Sequence, residues 1–328
     1  MDFQPDRGGR KESARATIQL PFAVPAVKSA NIDTSSDDPY KAAREALDRD
    51  GFVVLSASLF PSFDLEALRA AASRMTESAR SGTWPYIRTV PKQFPPWPQD
   101  PSNGIWGVQH LLHPSNPDHL VFAKSYFDEA LLKYVAVLIG CEEGDLTMEL
   151  YNMLVRPDKD FSLRWHRDDI TATATPKEEL ERLNKPAYHA QWNLALYEDS
   201  SLVLIPGSHK RARTDTERHA DPYEAHLPDQ ITVKLRAGEV AFYNNNILHR
   251  GVYDSTKERM TLHGSIGTAL AGKERARNVL QHGVGEWAKE WDVNGFEPEM
   301  AERAKRMRER LVDMGKASGD VGFFAQDE

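Results

Sequence analysis

Trp165-His166-Arg167-Asp168-Asp169 is the stretch on which the fold turns. It closes a strand-like run, and in an extended chain residues i and i+2 project to the same face. His166 and Asp168 can therefore face one point in space, while Asp169 in the same strand faces away. One imidazole and one carboxylate make half a metal site, so a third ligand is expected elsewhere. His249 ends the run Glu239-Val-Ala-Phe-Tyr-Asn-Asn-Asn-Ile-Leu-His249, a strand and turn entered through Ala237-Gly238. The separation between His166 and His249 leaves room for several strands, and a jelly roll brings such distant strands face to face. Two histidines and one carboxylate on one side of an ion leave further positions open, the arrangement of a non-haem Fe(II) oxygenase.

An oxygenase of that kind needs an anchor for its co-substrate. Arg259 opens the next apparent strand, Arg259-Met-Thr-Leu-His-Gly-Ser. Its guanidinium offers a fixed fork of donors that matches a carboxylate. If 2-oxoglutarate chelates the iron through its 2-oxo acid end, Arg259 is placed to meet the far carboxylate. A second His-x-Asp, His219-Ala220-Asp221, stands directly before Pro222 in a polar stretch with no strand leading in, and reads as a solvated loop. His189, His209 and His263 read as structural histidines, with His263 the best placed of them to approach the site.

Composition narrows the classes. The chain has 328 residues, 40% hydrophobic, with a formal charge of −8 and a single cysteine. That is enough for one large domain, and the acidic balance gives no field for nucleic acid. Cys141 excludes an intramolecular disulfide framework and reads as a small apolar residue in a reducing compartment. No run is apolar enough to span a bilayer. The N-terminus lacks a secretory h-region and the C-terminal Ala-Gln-Asp-Glu is no retention or peroxisomal address. These features predict a soluble cytoplasmic protein with a small-molecule substrate, no nucleic-acid partner and no membrane partner.

The pattern of elements agrees. Residues 1–38 predict a flexible or extended N-terminal segment. Helices are expected over 42–50, 62–80 (started at Ser62), 128–139 and 176–183, with a buried strand at 52–55. From Leu146 the chain turns β-rich, with strands near 146–155, 188–197, 201–205, 230–235, 239–243 and 259–266. Strands without alternating helices predict an antiparallel sandwich or barrel. The fold class is mainly β with flanking helices around a double-stranded β-helix, the cupin-like jelly roll. Residues 39–270 form the catalytic domain and 271–328 a helical extension, with helices near 273–281 and 297–316. Residues 83–107 carry Trp84, Tyr86, Phe94, Trp97 and Trp106 among prolines. That stretch reads either as a rigid surface loop packed on the core or as a wall of the substrate pocket.

With these residues placed, the chain resembles the phytanoyl-CoA dioxygenase family of Fe(II)- and 2-oxoglutarate-dependent oxygenases. The resemblance runs from about Arg49 to Gly267. It is carried by Asp50-Gly-Phe-Val-Val-Leu, Tyr151-Asn-Met-Leu-Val, Trp165-His-Arg-Asp, Gln191-Trp-Asn-Leu-Ala-Leu, Leu202-Val-Leu-Ile-Pro-Gly-Ser-His-Lys and the pair His249 and Arg259. It implies a jelly roll with iron at one mouth, held by His166, Asp168 and His249. It further implies Arg259 on 2-oxoglutarate, with Met153 and Trp192 lining the 2-oxoglutarate pocket. O2 is the other co-substrate, and succinate and CO2 leave. A family lysine that contacts 2-oxoglutarate falls near Ile105-Trp106-Gly107-Val108-Gln109, where this chain has none.

Asp168 disfavours a halogenase, whose relatives have a small residue there. A non-redox cupin-like binding or isomerase module is the alternative reading; it would not need Arg259. Arg156, Lys159, Arg164 and Arg167 read either as a solvated face or as a steering field for an anionic small molecule.

Overall fold

The computed structural model describes residues 31–272, 275, 279–280 and 283–319. Twelve strands are described: β1 (Asn31–Ile32), β2 (Phe52–Leu55), β3 (Ile87–Thr89), β4 (Ile105–Val108), β5 (Leu146–Val155), β6 (Phe161–Ser162), β7 (His189–Ala195), β8 (Leu202–Leu204), β9 (Ile231–Thr232), β10 (Val240–Tyr243), β11 (His249–Tyr253) and β12 (Met260–Thr268). They form an eight-stranded sheet in the order β1-β2-β10-β7-β12-β5-β4-β3 and a four-stranded sheet in the order β6-β11-β8-β9. Apart from the short β1–β2 pair, which is parallel, the pairings are antiparallel. The two sheets close on a shared apolar layer that includes Phe52, Val54, Ala195, Leu202, Leu204, Ile231 and Ala241. This is the jelly roll that the strand pattern predicts.

Helices cover the outer face of the large sheet. Helix α1 (Pro39–Asp50) is capped by Asp38, whose carboxylate accepts from Lys41 N at 3.0 Å, and stops at Gly51 with φ +82°. A side chain is excluded at Gly51 twice over: the backbone is left-handed there, and a Cβ would lie 2.4 Å from His209 Nδ1. Helix α2 (Leu65–Arg80) starts at Asp64, which accepts from Ala67 N at 3.0 Å, rather than at Ser62. Asp64 has the N-cap geometry, and the Ser62 hydroxyl bonds Asp128 instead. Helix α3 (His119–Tyr126) is followed by α4 (Glu129–Ile139), capped by that same Asp128 and ended by Gly140 at φ +81°. Helix α5 (Pro176–Leu183) opens with a reciprocal Thr175–Glu178 capping box. The C-terminal helix Pro298–Ser318 buries Ala304, Met307, Leu311 and Met314 on one stripe against the β5 side of the barrel. The helix expected near 273–281 lies mostly outside the described residues.

Most predicted strands appear within a residue or two of their expected bounds; the one near 230–235 shortens to Ile231–Thr232. The short ones differ. Residues 83–107 contain β3 and most of β4, and His249 opens β11 instead of closing the preceding run. Asn31–Ile32, inside the segment read as extended or flexible, pairs with Val54–Leu55. No helix among the described residues is long and apolar enough to cross a membrane.

Candidate metal centre and 2-oxoglutarate pocket

His166 and His249 face each other across the mouth of the barrel through a two-hydrogen-bond antiparallel bridge. His166 N donates to His249 O at 3.0 Å and His249 N to His166 O at 3.1 Å. The bridge brings the ring centroids to 4.2 Å. Asp168 Oδ1 lies 3.4 Å from His166 Nε2 and 3.7 Å from His249 Nε2. All three ligand atoms fall within 4.8 Å of one another, the span that one ion can bridge. The i, i+2 spacing of His166 and Asp168 and the distant His249 thus converge.

The tautomers follow from the backbone. His166 Nδ1 lies 2.9 Å from Arg164 O, and His249 Nδ1 lies 2.9 Å from Ile247 O. A carbonyl only accepts, so each Nδ1 carries the proton and each Nε2 presents a lone pair. Burial pushes His249 down to about 4, with the neighbouring His166 adding to the effect, so the ring is neutral near pH 7. Burial alone would raise the Asp168 carboxyl. The His249 and His166 imidazoles and the Gln191 amide, which donates to Oδ2 at 3.0 Å, outweigh it and hold the group well below the ordinary carboxylate range. Two imidazoles that turn Nε2 to one point, beside an ionised carboxylate, are the donor set a ferrous ion takes.

Arg259 lines the same cavity, which has a volume of about 390 Å³. Its Nε donates to Asp199 Oδ2 at 3.3 Å, and the guanidinium sits 4.3 Å from the centre of the Tyr253 ring. Asp199 is itself fixed by Thr261 Oγ1 at 2.7 Å and Ser201 N at 2.8 Å. Arg259 is 7% exposed, and its Nη1 is buried with no hydrogen-bond partner. A buried guanidinium N–H without an acceptor is costly. The carboxylate of a dicarboxylic acid would satisfy it.

Met153 and Trp192, expected to line this pocket, lie on the opposite face of the large sheet. Met153 pairs with Leu262 and joins the core beneath the helices. Trp192 packs against Tyr126, Tyr151 and Phe242, and its ring occupies the space where a Cβ on Gly264 would sit. With a side-chain period of two, their neighbours take the cavity: Leu154 beside Met153, and Gln191 and Asn193 beside Trp192. Asp169 does not join the triad; it accepts from Arg182 and Asn245. His263 does reach the cavity, its Nδ1 2.9 Å from Asn193 Oδ1, and burial lowers it to about 3. His219 is surface-exposed and bonds Asp215 O within its own helical turn, and His209 bonds Asp48 O.

Arg167 departs from the basic cluster that reads as a solvated face or a steering field. It is fully buried behind the triad and donates to Ser208 O, Asn246 O and Arg211 O. Arg167, Arg213 and Arg218 surround the buried Glu179 on α5. These contacts tie the ligand strand to the turn that carries His249. The aromatic stretch packs on the core at one end and lines the cavity at the other. Trp84 is buried on the core with its Nε1 on Gln109 O, while Phe94, Pro95, Trp97 and Trp106 wall the cavity. Gln191, Asn193, Asn245, Tyr243, Asp199 and Arg88 were not singled out from sequence. For Gln191 and Asn193 a signal existed, since alternation of polar residues within Gln191-Trp-Asn-Leu-Ala marks an inward face.

A jelly roll whose mouth gathers two imidazoles and a carboxylate is the architecture of the mononuclear non-haem iron oxygenases. The chain belongs to the Phytanoyl-CoA dioxygenase (PhyH) family, whose model matches residues 47–261, well over half its length. It is an enzyme of the Fe(II)- and 2-oxoglutarate-dependent class. No curated protein matches the sequence significantly. Among solved structures, AviO1 from Streptomyces viridochromogenes Tue57 is 19% identical with a TM-score of 0.49, over 71% of this chain and 96% of that one. HygX from Streptomyces hygroscopicus, with nickel and 2-oxoglutarate bound, is 18% identical with a TM-score of 0.48, over 70% and 87%. EctD from S. alaskensis with bound Fe is 19% identical with a TM-score of 0.48, over 77% and 84%.

Proposed function

We propose that the protein hydroxylates a small organic molecule, with His166, Asp168 and His249 as the iron ligands and Arg259 as the anchor of 2-oxoglutarate. The observation that carries this reading is the unpartnered Arg259 Nη1 in the same cavity as the three converging ligand atoms. When bound, Fe(II) and 2-oxoglutarate supply the oxidising power: O2 is reduced, succinate and CO2 are released, and one oxygen atom enters a substrate C–H bond.

The protein's part is placement. Arg164 O and Ile247 O keep the two imidazoles in the ligating tautomer. Gln191 holds Asp168 by its second oxygen, leaving Oδ1 for the metal. Asp199 fixes the Arg259 fork so that the dicarboxylate enters in one orientation. Phe94, set edge-on 5.6 Å from His166, and Trp97 and Trp106 shape the substrate side and keep water out.

The test uses purified protein loaded anaerobically with Fe(II) and 2-oxoglutarate, then given isotopically heavy O2 and fractions of small metabolites. The expected outcome is substrate-dependent succinate release and a product carrying one heavy oxygen. Turnover without succinate, or a product altered without oxygen gain, would replace hydroxylation by another outcome of the same site.

A further inference from the structure

Of the arginines that line the cavity, Arg88 has no part in the reaction proposed above. Arg88 stands on β3, paired with Gly107 of β4, which in turn pairs with Leu154 of β5. Its stem lies across Gly107: a Cβ there would meet Arg88 Cδ at 2.9 Å, so glycine at 107 gives the side chain its path over the strand. The guanidinium then sits 5.0 Å from the Trp97 ring and 5.4 Å from the Trp106 ring, and lines the same cavity as the triad.

Three other arginines of that cavity are neutralised by a carboxylate: Arg259 by Asp199, Arg275 by Glu149 and Arg182 by Asp169. Arg88 differs. It is 9% exposed, its Nε is buried without a partner, and its side chain makes neither a hydrogen bond nor an ion pair among the described residues. Burial pulls it down to about 10, opposed by the nearby Tyr253, Tyr243 and Asp168, and it remains charged near pH 7. A buried charge without a counter-ion is unfavourable, and two indole faces compensate only in part. A guanidinium with all its donors free and its plane fixed by aromatic rings is pre-arranged for a planar oxyanion.

We propose that Arg88 is the recognition point for a carboxylate on the primary substrate. This rests on the oxygenase reading for the word substrate, and on Arg88 alone for the anion site. With the far carboxylate of 2-oxoglutarate assigned to Arg259 and its 2-oxo acid end to the metal, the Arg88 anion is assigned to a different molecule, and the 2-oxoglutarate affinity of Arg88→Gln separates the two assignments. The aromatic wall beside it fits an organic acid with a flat or apolar body.

Benzoate is the probe, with benzamide as its uncharged counterpart. Binding is read by the fluorescence of the tryptophans that flank Arg88, in the Fe(II) and 2-oxoglutarate complex under anaerobic conditions and again in protein without either. The expected result is saturable, salt-sensitive binding of benzoate at least tenfold tighter than benzamide. That preference should vanish in Arg88→Gln and return in part in Arg88→Lys. The 2-oxoglutarate affinity, set by Arg259, should move less than twofold in Arg88→Gln.

Equal response to benzamide, no saturable response to benzoate, or an unchanged Arg88→Gln would overturn the proposal. So would a large loss of 2-oxoglutarate affinity in Arg88→Gln, which would assign Arg88 to the co-substrate. A circular-dichroism melt of Arg88→Gln identifies misfolding, in which case Arg88→Lys and the benzoate–benzamide comparison in the unmodified protein decide. If the 2-oxoglutarate complex does not form but the Arg88-dependent preference for benzoate stands, the oxygenase reading fails and the anion site survives.

Discussion

Strand β7 has two environments on its two faces. Gln191 and Asn193 turn to the cavity, where they bond Asp168 and His263 respectively. Ala190, Trp192 and Leu194 turn to the helices and join the large apolar core. The same division holds on β12, with Thr261 and His263 inward and Leu262 and Ile266 outward. The inward face is polar and its amides and hydroxyls hold Asp168, His263 and Asp199; the outward face is apolar and carries the hydrophobic stabilisation. Substitutions on the two faces should therefore be separable: one set moves chemistry, the other moves stability.

The largest expected effect breaks the inward face at its centre. His249→Ala should abolish iron-dependent succinate release and stoichiometric Fe(II) binding, checked by anaerobic titration. The urea midpoint should change far less than in an outward-face variant. Arg259→Gln comes next. Losing a hydrogen bond to a charged group is worth about 1.5–3 kcal/mol, so the 2-oxoglutarate Kd should rise about 10- to 100-fold, read by calorimetry. Trp192→Ala should do the reverse. It should lose about 3–5 kcal/mol of stability by urea unfolding and keep its 2-oxoglutarate affinity while folded. If that affinity fell as in Arg259→Gln, the division between the faces would be wrong.

Gln191→Leu sharpens the comparison within one strand. It removes the amide that holds Asp168 and should weaken Fe(II) binding by about 10- to 100-fold, with little effect on unfolding. The smallest effect concerns Asp199. Burial alone would raise its carboxyl; Arg259, Ser201 and Thr261 outweigh that and hold it below its ordinary value. Its contribution to stability is therefore complete above the unfolded carboxyl value of about 3.9 and fades as the pH falls through the lower folded value. The stability deficit of Asp199→Asn in urea should be present at pH 7 and shrink in acid below about pH 4.

The parts legible in the sequence are those with a short period or a strong local signal. His166 and Asp168 share a face because two residues is the strand repeat, and His249 is picked out beside a β run, although it opens β11 and does not end the run before it. Gly51 and Gly140 stop their helices where a left-handed residue is needed. Met153 and Trp192 went wrong for the same periodic reason: a matched motif gives a position along a strand, and a step of one residue reverses the face. Arg167 looked like part of a charged run, but its burial depends on Glu179 in a helix outside that run. Arg88 was hidden because β3 and β4 are three and four residues long and lie in a proline- and aromatic-rich stretch with no periodicity. Nothing local marks an arginine that tertiary contacts will bury. Asp64 displaced Ser62 as a helix cap because either residue type can cap, and only the packing around Asp128 assigns Ser62 elsewhere.

His166 and Asp168, two residues apart, join the distant His249 and Arg259 around one cavity that we read as a single iron and 2-oxoglutarate site. Anaerobic addition of Fe(II) and then 2-oxoglutarate, followed by visible absorption, tests it most directly. The expected result is a charge-transfer band that saturates at one iron and one 2-oxoglutarate per chain, is lost in His249→Ala and needs far more 2-oxoglutarate in Arg259→Gln. A protein that forms no such band, or forms it equally well without His249, would contradict it.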